Sequence, residues 1–395
     1  MSTLPAWASI VPQGGGSAGW LTALVLSTRC PFLDIRLLRP RENRPIGVGE
    51  STQPDFPQQL QAGGVDLTHF CRATDATMKC GIFYRDWNRV GDHYWHPFTA
   101  MADSGAYTPA HHFQQKILEA PERFRHADYY ANVHTSYSTC VERKLVAPEA
   151  ARAFHVDAAK AAHYLENHLR SIRVSEFSQI DVLTDGDTGN VSGIRLDDGE
   201  LVGADLYIDC TGFSRAVYGR VGASAILPYE ANVNRAVAAS VPYADPAAET
   251  HPYTRAHAHE HGWTWSIPLQ SRIGSGYVYH SDFCSPDDAE TNFRRYWGDD
   301  RMRDLEVRHI AFDSSTLREP WARNVVTIGL SAGFIEPLEA TGINWTISSA
   351  DILGHCLQAR YFDRDVSARY NALMLGYIYD VQDFIDAHYL LSSRR

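Results

Sequence analysis

The sequence of 395 residues lacks an excess of basic residues, a long apolar run and closely spaced cysteine pairs. Its 36 Lys and Arg residues are outnumbered by 47 Asp and Glu residues, which gives a formal net charge of -11. Because nucleic-acid phosphates are bound mainly by clustered cations, we expect no nucleic-acid partner. No apolar run approaches the ~18 residues of a membrane span, so we also expect no membrane association.

The seven cysteines do not suggest a disulfide framework. Their odd number and the absence of Cys-x-x-Cys spacing indicate reduced thiols, and no cationic start precedes the first apolar stretch. We therefore predict a cytoplasmic protein, either a monomer or a homodimer. With 44% hydrophobic and 21% charged residues, the composition is typical of a soluble globular chain. The length allows about two to three domain-sized units and an internal cofactor cavity.

A glycine-rich turn near the N-terminus is the first informative motif. Apolar residues within 8–38 predict a strand, a helix that follows the glycines, and a second strand. Gly14, Gly16 and Gly19 fit the G-x-G-x-x-G pattern, in which backbone approaches a pyrophosphate at the helix N-terminus. The alternative is an ordinary glycine-rich turn, since the spacing alone does not decide.

Two residues depart from the usual form of such a unit. Pro12 stands where a core strand needs a hydrogen-bond donor, so we expect the first strand to be disturbed. Arg39 ends the second strand, where an acidic residue usually binds the ribose hydroxyls. A dinucleotide bound here would therefore be held loosely.

The rest of the chain alternates between predicted strands and helices without an internal repeat or a low-complexity linker. A buried strand over 206–210 carries Asp209 and runs into a Thr-Gly turn. The other predicted elements are a helix over 151–170, two or three strands over 180–205, strands over 236–241, 275–279 and 325–330, and helices over 343–357 and 367–391.

Two ionisable residues lie in distinctive segments far apart in the sequence. Lys79 lies in the segment ATMKCGI and Glu339 in GFIEPLEATG. The general interpretation of such a lysine is a side chain that extends from an apolar stretch to solvent. The general interpretation of Glu339 is an acid that complements the dipole of a following helix.

Aromatic residues form two further motifs. Trp263 and Trp265 are two residues apart, so on a strand they share a face, most often in a core. His96 and Phe98 lie in YWHPF, where the histidine has the alternative role of a buried structural residue.

Together these motifs resemble the flavin-dependent tryptophan halogenase family of the FAD-dependent monooxygenase-like superfamily. The resemblance implies an α/β fold: an FAD-binding three-layer βα unit with a second β-sheet and a helical C-terminal part. The implied division is an interleaved FAD-binding domain (1–98, 150–225 and 305–355), a substrate and second-sheet region (99–149 and 226–304), and a truncated C-terminal helical part (356–395).

The resemblance also implies roles for individual residues. Lys79 and Glu339 would be catalytic, and Thr341 and Gly342 would bind halide. His96 and Phe98 would line the substrate, while Trp263 and Trp265 would keep it away from the flavin. The implied cofactor-binding residues are Gly14, Gly16, Ser17, Ala18, Gly19, Gly47, Gly49, Glu50, Ser51, Asp209, Gly329 and Ile343.

The implied activity is halogenation of an electron-rich indole, pyrrole or phenol. A separate flavin reductase would supply FADH2, which would react with O2 to a flavin hydroperoxide. Chloride or bromide would then give hypohalous acid, which passes to Lys79, and Glu339 would take the ring proton. The alternatives are an FAD-dependent aromatic hydroxylase and a catalytically silent flavin-binding protein.

The sequence departs from the family pattern at one residue and in its length, and it contains two motifs that favour other functions. Ala340 replaces a serine that is usual in enzymes acting on free tryptophan. The chain is also shorter than usual, so we expect an open pocket with one wall, from His96 and Phe98.

Ser331 lies in a G-x-S-x-G segment typical of hydrolases. The histidines within 257–261 suggest a solvated loop rather than a metal site, and we expect no metal.

Overall fold

A computed structural model describes residues 7–12, 16–42, 49–98, 115–116, 118–120, 135–146, 152–221, 224–358 and 364–393. The strands are β1 (Trp7–Pro12), β2 (Asp34–Pro40), β3 (Glu50–Ser51), β4 (Thr77–Lys79), β5 (Gly81–Arg85), β6 (His93–Pro97), β7 (Ala153–Val156), β8 (Arg173–Phe177), β9 (Ile180–Thr184), β10 (Val191–Leu196), β11 (Leu201–Val202), β12 (Leu206–Cys210), β13 (Ile226–Pro228), β14 (Arg235–Val241), β15 (Thr254–Ala258), β16 (Gly262–Pro268), β17 (Ile273–Tyr279), β18 (Arg308–Ala311), β19 (Ser315–Leu317), β20 (Trp321–Ala322), β21 (Val325–Thr327) and β22 (Gly333–Phe334).

The described α-helices are α1 (Ser17–Arg29), α2 (Asp55–Ala62), α3 (Leu67–Ala73), α4 (Thr135–Tyr137), α5 (Ala158–His168), α6 (Pro246–Glu249), α7 (Pro286–Trp297), α8 (Asp299–Met302), α9 (Thr341–Gln358) and α10 (Arg364–Leu390). Short 3₁₀ turns span Gly212–Ser214, Tyr218–Arg220, Gly329–Ser331 and Leu338–Ala340, and a π turn spans Ser138–Glu142.

A six-stranded sheet forms the centre of the first unit, in the order β20-β21-β12-β1-β2-β8. The pairs β1–β2, β1–β12, β2–β8 and β12–β21 are parallel. Every residue of β12 is buried, as expected for a parallel strand covered on both faces. Helices α1, α5 and α9 contribute to the apolar core on one side, and β9 and β10 form a second core with β2, β12 and β21 on the other. This arrangement confirms the predicted three-layer α/β fold.

Two details of the sequence-based prediction were wrong. Pro12 does not disturb the first strand, because β1 continues to Pro12 and pairs it with Cys210 at the end of the ladder. The segment predicted as one helix over 151–170 is a strand, β7, followed by helix α5. Asp157 separates the two elements, since its carboxylate accepts a hydrogen bond from the amide of Lys160 at 3.0 Å as an N-cap.

A seven-stranded sheet forms the second unit, in the order β18-β14-β17-β16-β15-β5-β6. Its neighbours are antiparallel except β5 and β15, which run parallel. Helix α7 buries Phe293 against Val237 and Tyr277 of this sheet. The two strands at one edge, β5 and β6, carry aromatic residues toward the first unit.

A small sheet of β3, β7 and β4 joins the two units and positions the segment that contains Lys79. Lys79 lies opposite Ala153 and Ser51 opposite His155 in this sheet. Among the described helices, none is both long and apolar enough to cross a membrane.

Candidate active site

Lys79 ends strand β4 and is completely buried. Its ammonium donates a hydrogen bond to the carbonyl oxygen of Thr52 at 2.9 Å and lies 4.7 Å from the ring centroid of Phe98. The alternative of a lysine that extends to solvent is therefore wrong. Burial lowers the pKa of Lys79 to about 7, although the negative charge of Glu339 opposes that shift. At neutral pH the amine and the ammonium are both populated.

Glu339 lies in the loop before helix α9 and is 4% exposed. Its backbone φ is 65° and that of Ala340 is 57°, so two consecutive non-glycine residues adopt the left-handed conformation. The side-chain amide of Gln53 donates to the carbonyl oxygen of Glu339 at 3.0 Å and fixes this turn. The unusual backbone therefore sets the direction of the carboxylate.

Three side chains contact one oxygen of that carboxylate, Oε1. The hydroxyl of Tyr84 donates a hydrogen bond to it. Nδ1 of His96 lies 3.0 Å away and Nε2 of His388 lies 3.3 Å away. Burial alone would raise the pKa of Glu339, but the two histidines outweigh it and hold the pKa well below its usual range.

Lys79 and Glu339 interact through charge rather than by a direct ion pair. Within the described part of the chain, the ion pairs of Glu339 are with His96 and His388. The hydrogen bond of Lys79 goes to Thr52 instead. Ala340 offers no hydroxyl at this point, so the carbonyl of Thr52 is the group that orients the ammonium. The two predicted catalytic residues are brought into one buried site by residues of the small sheet, of strands β5 and β6, and of helix α10.

Aromatic side chains lie on two sides of His96. Phe98 lies just beyond the end of β6, with its ring centroid 6.3 Å from that of His96. Phe384 of helix α10 packs 5.6 Å from His96 and 5.1 Å from His388. Helix α10 thus adds an aromatic surface beside His96 that the sequence did not predict, while the open pocket with a wall from His96 and Phe98 stays a prediction. The side chain of His96 remains 34% exposed.

The two tryptophans share one face of β16, as their spacing predicts. Their ring centroids are 6.3 Å apart, and Trp263 is 3% exposed. Gly276 lies opposite Trp265 in the neighbouring strand. A Cβ at Gly276 would come within 2.1 Å of the Trp265 ring, so only glycine leaves room for it. The indole of Trp263 donates to the hydroxyl of Tyr389 at 3.0 Å.

The start of helix α1 fits the phosphate groups of a dinucleotide. Gly16 precedes the helix in an extended conformation, with no side-chain cap and no acidic residue in the first turn. The first amides of the helix, at Ser17, Ala18 and Gly19, are therefore available to an anion. Gly14 and Gly47, which we also predict as cofactor contacts, lie outside the described residues.

Other predicted cofactor residues lie beside this helix start and in residues 49–54, the segment that we call the strap. Gly329 has a φ of 70°, and a Cβ there would lie 3.2 Å from both Ala18 and Thr346. Glycine at this position lets the starts of α1 and α9 approach each other. Gly49 also has a positive φ, of 95°, immediately before strand β3. A flavin dinucleotide fits this arrangement of bare helix ends and close backbone.

Side chains of the strap and of strand β12 are engaged within the protein. The Ser51 hydroxyl lies 2.9 Å from that of Thr254, and burial raises the pKa of Glu50 to about 7. The carboxylate of Asp209 accepts hydrogen bonds from the backbone and hydroxyl of Thr211, the amides of Val217 and Tyr218, and the hydroxyl of Ser331. Asp209 therefore stabilises the turn that follows β12 through hydrogen bonds within the protein.

The predicted halide residues lie at the start of helix α9. Thr341 is 8% exposed, and the first turn contains no acidic residue. A Cβ at Gly342 would meet nothing within 4 Å, so the backbone there borders open space. Ile343 is half-buried beside it. The helix dipole and free amides at such an end suit a small anion.

The side chain of Arg39 is paired with carboxylates of the protein itself. Its guanidinium forms ion pairs with Glu166 of helix α5 and Glu176 of strand β8. The hydrogen bond with Glu176, together with the two carboxylates, raises the pKa of Arg39 against the effect of burial. The arginine thus ties the edge of the sheet together where an acid usually meets the ribose.

The sequence reasoning did not single out four residues of this site: Tyr84, Glu336, His388 and Tyr389. The hydroxyl of Tyr389 donates to Glu336 at 2.6 Å, and the neighbouring His388 contacts Glu339. One signal was present, since the aromatic residues of helix α10 recur at nearly heptad spacing. That pattern predicts a buried face without identifying what the face contacts.

The two competing motifs have structural roles. Ser331 is completely buried and donates to Asp209 at 3.2 Å, and strand β22 follows it where a hydrolase needs a helix. The solvated-loop interpretation of the histidines is confirmed for Glu260 and His261, which are exposed between β15 and β16, and is wrong for His257. His257 lies on strand β15 and binds Asp86 at 2.7 Å, and His259 contacts the hydroxyl of Thr264 at 2.8 Å.

Comparisons with known proteins agree with this geometry. The profile of the tryptophan halogenase family matches residues 9–395. The chain belongs to this family. It is 30% identical over 410 residues to tryptophan 6-halogenase ThaL of Streptomyces albogriseolus, which covers 98% of this chain and 77% of the relative.

Solved structures give the same result. The apo structure of VirX1 superposes with a TM-score of 0.89 at 31% identity, over 99% of this chain and 78% of that one. Tryptophan 6-halogenase SttH from Streptomyces toxytricini superposes with a TM-score of 0.89 at 30% identity, over 98% and 79% of the two chains. As a member of this family, the protein is a flavin-dependent halogenase that acts on aromatic substrates. Members use FAD, halide and a separate flavin reductase.

Glu336 provides a stability test of the site. Burial raises its pKa to about 8 from an ordinary value of 4.5, against the hydrogen bond from Tyr389, and its Oε2 has no partner among the described residues. The folded state therefore retains a proton that the unfolded state loses above pH 4.5, so the glutamate destabilises the fold increasingly as pH rises toward 8.

We expect Glu336→Gln to raise the melting temperature at pH 8 by roughly 3 °C or more and to leave it nearly unchanged at pH 4.5. Differential scanning calorimetry at both pH values measures this, with Glu306→Gln as an exposed control. An equal effect of Glu336→Gln at both pH values would contradict the raised pKa.

Proposed function

We propose that this halogenase substitutes an electron-rich indole, pyrrole or phenol, with Lys79 directing the oxidised halogen and Glu339 accepting the ring proton. Bound FADH2, together with O2 and chloride or bromide, would supply hypohalous acid. The observation that supports this proposal is the pairing of two buried ionisable groups with displaced pKa values beside an aromatic surface. Such pairs occur mainly where acid and base chemistry is carried out.

The residues of this chain account for each proton of the proposed step. The Lys79 ammonium donates a hydrogen bond to the oxygen of hypohalous acid, which makes the halogen more electrophilic. The O–halogen bond breaks as the C–halogen bond forms, and the departing oxygen takes the proton of Lys79 to give water. Glu339 then removes the proton from the substituted carbon, and proton exchange with solvent restores Lys79.

The surroundings favour this reaction over direct oxygen transfer to the substrate. Trp263 and Trp265 lie on one face of β16. The indole of Trp263 donates a hydrogen bond to Tyr389, and the absence of a side chain at Gly276 leaves room for the ring of Trp265. We infer that this bulk separates the aromatic substrate from the flavin. His96, Phe98 and Phe384 provide ring faces and edges against which an aromatic substrate can pack.

The absence of a hydroxyl at Ala340 bears on the substrate. In this protein the contacts of Lys79 are the Thr52 carbonyl and the Phe98 ring. We propose that free tryptophan is therefore not the preferred substrate and that bare indole or a larger aromatic reacts at least as well.

A reconstituted assay tests the proposed function. Purified protein is incubated with FAD, a flavin reductase and its reductant, O2, and bromide or chloride. The aromatic panel contains indole, pyrrole, phenol and tryptophan, and products are identified by mass spectrometry. We expect replacement of one ring hydrogen by halogen, dependent on both reductase and halide.

The same assay separates the alternatives. A product that gains oxygen, with or without halide, would indicate a hydroxylase. FAD binding without any product, measured by fluorescence quenching, would indicate a catalytically silent protein. Preferential halogenation of tryptophan over indole in an equal-concentration competition would contradict the substrate proposal alone.

A further inference from the structure

The contacts of Glu339 are distributed unequally between its two oxygens. Tyr84, His96 and His388 all approach Oε1. Among the described residues, no hydrogen bond or ion pair is made to Oε2. The side chain is 2% exposed, so this asymmetry is imposed by the packed protein and not by bulk water. An oxygen with free lone pairs is the one that can accept a further proton.

His388 is itself held from both sides. Its Nδ1 lies 2.7 Å from the hydroxyl of Tyr94, and its ring stacks on that of Tyr84 with centroids 4.9 Å apart and an interplanar angle of 18°. Phe384 packs against its edge at 5.1 Å. The side chain is 10% exposed. A ring fixed in this way keeps its Nε2 at an ion-pair distance of 3.3 Å from Glu339, although the alignment there is not that of a hydrogen bond.

The last turn of helix α10 holds the loop before helix α9 at two points. His388 contacts Glu339, and the adjacent Tyr389 binds Glu336, three residues earlier in the same loop. Glu339 and the residue that follows it, Ala340, have positive φ values. Backbone in this conformation persists only where its surroundings determine it strongly. The two contacts from α10 add to the constraint that the hydrogen bond from Gln53 places on this turn.

We propose that His388 is a positioning residue, which holds Oε1 of Glu339 and thereby leaves Oε2 free to take the proton from the aromatic ring. The inference rests on the proposed role of Glu339 as the base and adds a residue from the C-terminal helix to it. His388 does not need to touch the substrate. The titratable groups that face Glu339 are Tyr84, His96 and His388 in contact, with Lys79 acting at longer range.

The test compares two substitutions that separate the ring from its nitrogen. His388→Phe keeps an aromatic ring for stacking and removes the contact to Oε1. His388→Gln lacks the ring but can place an amide donor near the position of Nε2. Leu390→Ala, on the same turn and 82% exposed, is the matched control.

We expect kcat for bromination of indole to fall about 10- to 100-fold in His388→Phe, as for a misoriented reacting group, with the KM for indole and the affinity for FAD unchanged. The acid limb of the kcat profile should move to higher pH, because Glu339 loses a favourable partner. His388→Gln should recover most of kcat and of the pH profile, and Leu390→Ala should match the wild type.

Other outcomes overturn the inference. If His388→Phe and His388→Gln lower kcat equally without moving the acid limb, the histidine has only a packing role. Unchanged kcat in His388→Phe would also exclude positioning. If the wild type halogenates no aromatic compound, the proposed function fails instead. Crystal structures of the wild type and His388→Phe then decide, because an unmoved Glu339 carboxylate overturns the positioning role and a rotated one supports it.

Discussion

Replacing Lys79 with alanine should reduce halogenation by at least ~10²-fold while FAD binding is retained; this is the largest effect we expect. The ammonium is the only described cation that contacts Phe98, and its hydrogen bond ends on the Thr52 carbonyl. Product formation by mass spectrometry and FAD affinity by fluorescence titration measure the two halves of the prediction.

Controls for Lys79 follow from its burial. Lys79→Met fills nearly the same space without a charge, so it separates loss of chemistry from creation of a cavity. The folded pKa is about 7 against an ordinary 10.5, so the buried lysine destabilises the fold most below pH 7, and this cost disappears as pH rises toward 10.5. Lys79→Met should thus be inactive yet more stable than the wild type at pH 7. Lys160→Met, at a side chain 49% exposed, is the surface control.

An active Lys79→Met variant with normal FAD binding would exclude the lysine from halogen transfer. Loss of FAD binding together with activity would instead assign Lys79 to the cofactor site.

Glu339→Gln should lower the rate of halogenation by ~10²-fold or more, as expected when a general base is removed. The amide preserves the size of the side chain, but its oxygen is a much weaker proton acceptor than a carboxylate. The binding of FAD should be unchanged because the loop backbone remains tied to Gln53. Single-turnover rates with excess bromide and indole measure the effect on the chemical step.

The control for this variant is Glu306→Gln, an exposed residue of the second unit, which should leave the rate unchanged. A smaller than threefold loss in Glu339→Gln would show that water or another group accepts the ring proton. A larger rate difference between ring-deuterated and ordinary indole in the variant than in the wild type would support the assignment, because loss of the base slows the step that breaks the ring C–H bond.

Much of the fold could be predicted from local pattern. The spacing of Gly16 and Gly19 marks the start of α1, and the buried strand β12 is recognisable because its residues are apolar except Asp209. The prediction failed at residues 153–156, where alanine and histidine neighbours permit a helix but pairing with β3 and β4 makes a strand. The signal for the boundary was Asp157, a good N-cap residue.

The site was predictable only in part, because its contacts join distant segments. Lys79 and Glu339 were identified through the resemblance of their motifs, and the structure brings them together. His388 was missed because one histidine in a long helix has no local pattern that reveals its partner. The positive φ values of Glu339 and Ala340 were also beyond prediction, since neither residue type favours that conformation.

The parallel pairing of β5 with β15 affects how the protein reaches its native state. Gly81–Arg85 is an early segment, yet one of its two neighbours in the sheet is Thr254–Ala258. Contacts of such long sequence separation form slowly, because the intervening chain must close a large loop before any stabilisation is gained. During synthesis on the ribosome, β5 therefore cannot pair with β15 until the chain has been made as far as residue 258. Until then it is an unpaired edge that can aggregate, so chaperone binding over this interval favours a productive outcome.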